Sequence, residues 1–314
     1  MDRKPVSVKS YANIAIVKYW GKADAERMIP STSSISLTLE NMYTETKLSF
    51  LPEDATGDVM YIDDELQGEK ETIKASKVLD LFRTNPNQHV KIETWNNMPT
   101  AAGLSSSSSG LSALVKAANE LFQVGKTQSE LAQIAKFASG SSSRSFFGPL
   151  SAWDKDSGEV YQVETDLKLA MIMLVLTDKK KPVSSRDGMK LCTETSTSFP
   201  EWIKQSEQDY KDMLVYLKAN DFQAVGELTE ANALRMHQTT STANPPFSYL
   251  TEASYRAMDK VKALRASGEQ CYFTMDAGPN VKVLCLEEDL DRLADHFRKD
   301  YQVIVSRTKE LPDA

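Results

Sequence analysis

The sequence predicts an α+β protein of two lobes with a cleft between them. Short strand-like segments are mixed with helix-like ones in the first half of the 314 residues. A charged break with a proline follows at residues 177–182, and the chain beyond it is mainly helical before it ends in a few strands. These features predict an N-terminal lobe of residues 1–180 and a C-terminal lobe of residues 181–314.

The composition is that of a globular protein with enough residues for a large core. Hydrophobic residues make up 41% of the chain and charged residues 26%. The net charge of −7 and the lack of a long basic block argue against general nucleic-acid binding. The apolar run at residues 169–176 is too short to span a membrane, and the N-terminus has no apolar stretch of signal-peptide type.

The cysteines, Cys192, Cys271 and Cys285, are odd in number and form no Cys-x-x-Cys pair. This pattern favours free thiols in a reducing cytoplasm. The three histidines are scattered without metal-ligand spacing, which disfavours a zinc site. Any metal is expected to be a magnesium ion that is brought by a nucleotide and held by oxygens.

The first elements follow from the spacing of apolar residues. Alternation predicts strands at residues 6–11, 44–50 and 89–95. Helical spacing predicts helices over residues 71–82 and 111–122.

A capping box predicts where the next helix begins. Thr127 is followed three residues later by Glu130, and the helix is expected to run to residue 138. Two later strands are predicted at residues 161–164 and 169–176, the second of them buried.

The segment after the break is expected to hold three helices and then a small antiparallel α+β layer. The helices are predicted at residues 201–218, 222–237 and 249–266. The layer comprises strands at residues 270–275, 281–286 and 301–305 with a helix at residues 288–298.

A serine-rich loop at residues 99–110 joins the third predicted strand to the helix after it. A loop of small residues that ends at a helix start offers unpaired backbone N–H groups and the positive end of the helix dipole. Each hydroxyl adds a donor or a metal ligand. A flexible serine linker is the alternative, but the close flanking by strand and helix favours phosphate binding.

Residues 13–22 place two lysines beside a strand end. Lys18 and Lys22 lie four residues apart and therefore on the same face, so their repulsion favours an anionic partner such as a diphosphate. Tyr19 would add a hydroxyl donor. An edge strand with solvated lysines is the alternative.

A second glycine- and serine-rich loop, residues 139–148, carries Arg144. A guanidinium can pair with a carboxylate through two parallel hydrogen bonds. The neighbouring serines and Phe146 and Phe147 favour a partly buried anion site over a surface arginine.

Two further segments have both a functional and a structural interpretation. Residues 179–189 bring four cations and two hydroxyls into the proposed interdomain loop, where a solvated charged segment is the usual alternative. Asp276 lies at a turn after a predicted strand, where it could orient or deprotonate a substrate hydroxyl or serve the turn alone.

Taken together, these segments resemble the GHMP superfamily of small-molecule kinases and, within it, the diphosphomevalonate decarboxylase branch. Residues 99–107 are similar to the superfamily's phosphate loop. The segments similar to those of the branch are residues 13–15, 18–22, 30–36, 139–146 and 275–280, in the same order.

The resemblance implies a two-lobed GHMP-kinase-like fold with the active site in the cleft. The N-terminal lobe would be ribosomal-protein-S5-domain-2-like and the C-terminal lobe a ferredoxin-like α+β lobe. The implied reaction converts ATP and (R)-5-diphosphomevalonate, with Mg2+, to isopentenyl diphosphate, ADP, phosphate and carbon dioxide. The implied assembly is a cytoplasmic homodimer with small-molecule substrates and no nucleic-acid or membrane partner.

The resemblance also implies site residues. The implied catalytic residues are Asp276 facing the C3 hydroxyl, Arg144 holding the C1 carboxylate, Lys18 and Lys181. The implied substrate-binding residues are Asn13, Tyr19, Trp20, Gly21, Lys22, Ser139, Gly140, Ser141, Arg144, Ser185 and Arg186. The implied ATP-binding residues are Gly103, Leu104, Ser105, Ser106, Ser107 and Ser108, with Ser106 or Ser107 on the magnesium ion.

One departure and two rival functions remain at this point. The superfamily loop usually carries alanines where this chain has serine throughout residues 105–109, which leaves the magnesium ligand open. A carboxylate near magnesium and lysines should be ionised, so Asp276 could orient the hydroxyl more than it removes the proton. The rivals are a kinase that phosphorylates mevalonate or a phosphomevalonate without decarboxylation, and a non-catalytic phosphometabolite sensor.

Overall fold

The computed structural model describes residues 4–24, 26–98, 106–177 and 182–311. In chain order, its first elements are β1 (Val6–Val17), β2 (Lys22–Asp24), β3 (Ile29–Pro30), β4 (Ser34–Phe50), β5 (Val59–Ile62), β6 (Glu65–Leu66), α1 (Glu69–Leu79), β7 (Val90–Asn96), α2 (Ser106–Leu121), α3 (Gln128–Ala138), a 3-10 helix (Gly140–Phe146), β8 (Leu150–Trp153) and β9 (Val160–Gln162).

The remaining elements, again in chain order, are β10 (Leu169–Val175), α4 (Ser185–Thr195), α5 (Phe199–Lys218), α6 (Phe222–Ser241), α7 (Glu252–Ala266), β11 (Tyr272–Met275), β12 (Val281–Leu286), a short 3-10 helix (Glu287–Asp289), α8 (Leu290–Arg298) and β13 (Gln302–Arg307). No helix within these described ranges is long and apolar enough to cross a membrane.

Strand β4 is the centre of a seven-stranded sheet. Strand β1 pairs with it antiparallel from Val6 opposite Leu48 to Val17 opposite Ile35. Strands β7 and β8 share its other edge, and the parallel β5 and the antiparallel β9 extend the sheet outward. Helices α1, α2 and α3 cover one face of this sheet over a common apolar core, which also seats Phe146 of the 3-10 helix.

The C-terminal strands form a second, antiparallel sheet in the order β11-β12-β10-β13. Strand β10 lies inside this sheet, and its alternate residues enter different cores. Leu169, Met171 and Met173 pack in a core with β1, β4, α5 and α6, while Ile172 and Leu174 pack under α7 and α8.

The predicted boundary between the lobes lies after β10. Strand β10 pairs with β12 along residues 169–174 and with β13 along residues 170–175. Its hydrogen bonds therefore belong to the C-terminal sheet, although it precedes residue 181.

The α+β class is confirmed, and the observed elements differ from the predicted ones in two instructive places. Residues 179–189 were predicted as a loop, but helix α4 begins at Ser185, because the Ser184 side chain accepts a hydrogen bond from the N–H of Asp187. Strand β1 extends to Val17, six residues beyond its predicted end.

Candidate active site

A pocket of about 470 Å³ lies where the end of β1, the start of α2, the first 3-10 helix, α4, α6 and the β11–β12 turn meet. Most of the side chains predicted for the site line it: Asn13, Lys18, Tyr19, Trp20, Lys22, Ser107, Ser139, Gly140, Ser141, Arg144, Ser185, Arg186 and Asp276. Residues 103–105 and Lys181 lie outside the described residues, as does the side chain of Ser106. The structure thus brings five separate sequence segments to one cavity.

Asp276 lies in this pocket between two buried lysines. The Lys18 Nζ is 2.8 Å from its Oδ1, and the Lys282 Nζ is 3.1 Å from its Oδ2. Burial by itself would raise the pKa of the carboxyl, but the two ammonium groups hold the pKa of Asp276 well below its usual range. The carboxylate is therefore ionised at neutral pH.

Lys282 was not predicted as a site residue. It is the second residue of β12, between Val281 and Val283, and its side chain is fully buried. A buried lysine requires an anionic partner, so a lysine inside an otherwise apolar strand was the available signal. Asp276 lies in the turn that leads directly into β12, but the sequence pattern alone does not show that this turn brings the carboxylate back to the Lys282 ammonium.

Lys18 has a different partner from the predicted diphosphate. Its ammonium donates to the Ala15 carbonyl at 2.7 Å as well as to Asp276. Burial lowers the pKa of Lys18 to about 8, against the opposing effect of the carboxylate.

The turn after Lys18 depends on a glycine. Gly21 has a φ of +115°, and a Cβ there would lie 2.6 Å from the Phe199 ring and 2.9 Å from the Ser31 Cβ. Trp20 is 2% exposed, and its indole N–H donates to Thr239 at 2.9 Å. The turn anchors Trp20 in a core between helices and leaves Tyr19 and Lys22 on the pocket side.

Arg144 is held by serines of the central strand. Its Nε donates to the Ser36 hydroxyl at 2.5 Å and its Nη1 to the Ser34 hydroxyl at 2.7 Å. Burial lowers the pKa of Arg144 to about 10, so the guanidinium keeps its charge. No carboxylate within the described ranges forms an ion pair with it, and it is therefore placed to receive an external anion.

Tyr19 packs on the first turn of the 3-10 helix. Its ring centroid is 5.1 Å from that of Trp153, and a Cβ at Gly140 would lie 2.8 Å from the Tyr19 ring. The Tyr19 hydroxyl is buried with no hydrogen-bond partner among the described residues. Burial raises the pKa of Tyr19 to about 12, so it is a protonated donor.

Asn13 fixes the 3-10 helix against β1. Its amide donates to the Ser141 carbonyl at 2.9 Å and to the Ser145 hydroxyl at 2.8 Å. The hydroxyls of Ser139 and Ser141 are 3.2 Å apart. These bonds hold a short row of polar groups along one wall of the pocket.

The pocket is cationic in a chain that is acidic as a whole. It is lined by the charged side chains of Lys18, Lys22, Arg144, Arg186 and Asp276. Burial and the nearby Arg186 lower the pKa of Lys22. Clustered cations that lower one another's pKa favour an anionic ligand between them.

The start of α2 gives the pocket a helix N-terminus. Ser107 is exposed in the first turn and lines the pocket, whereas Ser108 is fully buried and its hydroxyl accepts a long, 3.5 Å hydrogen bond from the Asn13 N–H. Ser108 therefore supports the wall of the pocket and does not lie on its surface. The described residues contain no group of three His, Cys, Asp or Glu side chains that could hold a metal. A magnesium ion would thus depend on hydroxyl and phosphate oxygens, which it accepts readily.

Family comparisons cover nearly the whole chain. The model for the diphosphomevalonate decarboxylase-like N-terminal domain matches residues 10–163, and that for the mevalonate 5-diphosphate decarboxylase C-terminal domain matches residues 171–312. The diphosphomevalonate decarboxylase of Candida albicans is 30% identical over an alignment of 319 positions, which covers 94% of this chain and 88% of that protein.

Solved structures agree with these matches. Mevalonate pyrophosphate decarboxylase from Streptococcus pyogenes superposes with a TM-score of 0.97 at 66% identity and covers 100% of this chain and 99% of its own. MDDEF, solved in complex with MVAPP, AMPPCP and magnesium, superposes with a TM-score of 0.90 at 39% identity over 98% of both chains. The predicted two-lobed fold of the GHMP kinase type is thereby confirmed.

Proposed function

The chain belongs to the diphosphomevalonate decarboxylase family, and we infer from that premise that the cationic pocket around Asp276 is its active site. The protein catalyses the ATP-dependent decarboxylation of (R)-5-diphosphomevalonate to isopentenyl diphosphate, ADP, phosphate and carbon dioxide, with Mg2+. The observation that carries the assignment of the site is the ionised Asp276 between Lys18 and Lys282 in the same cavity as Arg144.

The chemistry divides into two stages. In the first, the C3 oxygen attacks the γ-phosphorus of ATP and ADP leaves. This phosphorylation is needed because hydroxide is a poor leaving group from the tertiary carbon C3. In the second, the C3–O bond breaks and releases phosphate, and the C1–C2 bond breaks to release carbon dioxide. The electron pair of that bond forms the C2–C3 double bond of isopentenyl diphosphate.

We propose that Asp276 orients the C3 hydroxyl as a hydrogen-bond acceptor. Because its pKa is low, Asp276 is a weak base, and it accepts the hydroxyl proton late, once the C3 oxygen has begun to bond phosphorus. Lys18 and Lys282 place positive charge beside the same oxygen. Their field favours the departure of the phosphate as negative charge develops on it.

We propose that Arg144 holds the C1 carboxylate through its guanidinium fork. Ser34 and Ser36 fix the orientation of that fork from the central strand. Asp276 is the carboxylate nearest to the electron-poor C3 in this arrangement and opposes the charge that forms there.

The diphosphate is assigned to the part of the pocket that Tyr19, Lys22 and Arg186 line. Tyr19 offers a buried, unpaired hydroxyl, and Lys22 and Arg186 offer cations that no carboxylate within the described ranges neutralises. Ser139 and Ser141 would add hydroxyl donors. Binding at this remote group would supply the free energy that positions the reacting centre.

The nucleotide phosphates are assigned to the N-terminus of α2. Ser107 lies in its first turn, where backbone N–H groups can face a phosphate, and residues 103–106 precede it in the chain. Magnesium neutralises phosphate charge when it is bound there. Ser106 and Ser107 remain its proposed protein ligands, and Lys181 remains a proposed partner of the transferred phosphate.

The decisive test measures ADP and carbon dioxide together from diphosphomevalonate, ATP and Mg2+. One carbon dioxide is expected for each ADP. ADP without carbon dioxide would mean a kinase, and the absence of both would mean a sensor.

A companion test addresses the site. We expect Asp276→Asn to lower kcat by a factor of about a thousand while the KM for diphosphomevalonate changes little, since the lost interaction is made at the reacting oxygen. A kcat within tenfold of the parent would remove Asp276 from the chemistry.

We further propose a cytoplasmic homodimer. The buried, free state of the three cysteines suits a reducing compartment. Light scattering on the purified protein would measure the assembly, and a monomeric mass at micromolar concentration would contradict the dimer.

A further inference from the structure

The backbone of Lys18 is held by side chains and not by a neighbouring strand. Strand β1 ends at Val17, so the next N–H group leaves the sheet. That N–H donates to the Asn232 Oδ1 of α6 at 2.8 Å, and the Lys18 carbonyl accepts from Thr32 at 3.1 Å. Asn232 is fully buried.

A buried carboxylate fixes which way the Asn232 amide points. The Asn232 Nδ2 donates to the Asp209 Oδ2 of α5 at 2.8 Å. Because an ionised carboxylate can only accept, the amide nitrogen must face Asp209, and the amide oxygen must face the Lys18 N–H. Arg235 at 2.5 Å and Gln205 at 3.1 Å both donate to Asp209, which is 1% exposed.

We propose that Asn232, oriented by Asp209, is a positioning residue for the decarboxylation reaction. It sets the backbone of Lys18 so that the ammonium reaches Asp276. The proposal rests on the role assigned to Asp276 above. It adds that two helices of the C-terminal part, neither of which carries a group that reacts, align the ion pair in the active site.

The effect should differ from a simple loss of stability. If the backbone of Lys18 shifts, its ammonium moves away from Asp276 and loses that attraction, while the cations Lys282 and Arg144 still lower its pKa. His237 also lies near Lys18, but its own pKa of about 4 keeps it neutral over the tested pH range. Lys18 should then lose its proton at a lower pH.

The test compares Asp209→Asn and Asn232→Ala with the parent enzyme in steady-state kinetics over pH 6–9.5. Asp209→Asn keeps the buried volume but allows the side-chain amide of Asn232 to rotate by 180°. It therefore tests the proposal even if Asn232→Ala folds poorly. We expect kcat to fall about tenfold or more and the KM for ATP to stay within about twofold. The alkaline limb of kcat/KM should move to lower pH.

Thr229→Val is the matched control. Thr229 lies one turn before Asn232 on α6 and is fully buried, and among the described residues its hydroxyl donates only to the Val225 carbonyl of the same helix. We expect this variant to keep the parent kcat and pH profile.

An unchanged kcat and alkaline limb in both test variants would overturn the inference. The inference would also be overturned if the rate fell only in proportion to the fraction of unfolded protein and the alkaline limb of kcat/KM stayed at the parent pH. A parent enzyme that releases no carbon dioxide would instead refute the function itself.

Discussion

At the scale of single residues, the centre of the site is one carboxylate in contact with two lysine side chains, whose positive charges outnumber its negative charge. Asp276 contacts both Lys18 and Lys282, so this buried cluster carries a net positive charge. Such a cluster suits a reaction in which a neutral hydroxyl becomes a phosphate ester and then a departing phosphate, because negative charge accumulates at one oxygen.

The pKa of Lys18 predicts an alkaline limit to activity. Since burial lowers the pKa of Lys18 to about 8, raising the pH through that value removes its proton and leaves Asp276 with one cationic partner. We expect kcat/KM for diphosphomevalonate to fall above about pH 8, since kcat/KM reports the free enzyme. The limb of kcat should lie higher, because bound phosphates favour the ammonium form.

A lysine that does not line the pocket provides the control for this pH profile. Burial also lowers the pKa of Lys116 to about 8, but that side chain bonds Ser10 and Ser145 behind the pocket. Lys116→Met should retain the alkaline limb. If the alkaline limb disappeared in Lys116→Met, the limb would report Lys116, and its assignment to Lys18 would be wrong.

His237 predicts how the stability depends on acid. Burial, assisted by Lys18 and opposed by Asp276, lowers the pKa of His237 from 6.5 to about 4. The unfolded chain therefore binds a proton that the native protein excludes, and stability falls as the pH drops from 6.5 toward 4. The loss is on the order of 3 kcal/mol, and Asp276 adds to it only below its ordinary pKa of 3.8.

Urea unfolding of His237→Gln at several pH values between 7 and 4 would test this. The variant should lose the slope that the parent shows in that window. His296→Gln, at a side chain that is 39% exposed, is the matched control and should keep the slope. Parallel curves for the parent and His237→Gln would contradict the prediction.

At the scale of elements, the sequence was informative where chemistry is local and silent where it is not. The capping box at Thr127 predicted the start of α3 within one residue, because both bonds are made inside one turn. Helix α4 was missed, because the charged segment with a proline at residues 177–182, just before it, favoured a loop. The short β5 and β8 were missed because each has only four residues and pairs on one side with a strand that lies far away in the chain, β7 for β5 and β4 for β8.

The same distinction applies to the site. Most candidate residues were found because each stood in a short motif, and the structure places them in one pocket. The role of the segment at residues 30–36 was not apparent from the sequence, since Ser34 and Ser36 act through Arg144, more than one hundred residues later. Asn232 and Lys282 belong to no such motif, and only the packed fold reveals their contacts.

One prediction concerns the contact between the 3-10 helix and the turn after β1. A Cβ at Gly140 would lie 2.8 Å from the Tyr19 ring and 2.9 Å from that of Trp153, so Gly140→Ala must push Tyr19 aside. We expect the KM for diphosphomevalonate to rise about tenfold, as for a misplaced binding group, and the stability to fall by about 1–3 kcal/mol.

Steady-state kinetics and thermal unfolding would measure both effects. The matched control is Gly57→Ala, where no heavy atom of the described residues, apart from Gly57 and its two chain neighbours, lies within 4 Å of the added carbon. An unchanged KM in Gly140→Ala would show that the position of the Tyr19 ring does not matter for substrate binding.

At the scale of the whole molecule, the two sheets share one apolar core. Leu37 of β4, Leu150 of β8 and Met171 of β10 pack with Met213 of α5 and Val225 of α6 in a single cluster. The helices that hold the end of β1 therefore also join the sheets. A chain built in this way should unfold as one unit, since neither sheet can keep its core without the other.

Met213→Ala tests this coupling, because Met213 is fully buried in the shared cluster. The truncation should cost about 2–5 kcal/mol. Native-state hydrogen exchange read in peptides from β7 and from α8, one in each sheet's own layer, should show the same loss of protection in both. Val215→Ala, two residues away on α5 and 62% exposed, should change neither. If α8 lost protection while β7 kept it, the lobes would be independent folding units, and the alignment of Lys18 by α5 and α6 would have to survive without a common core.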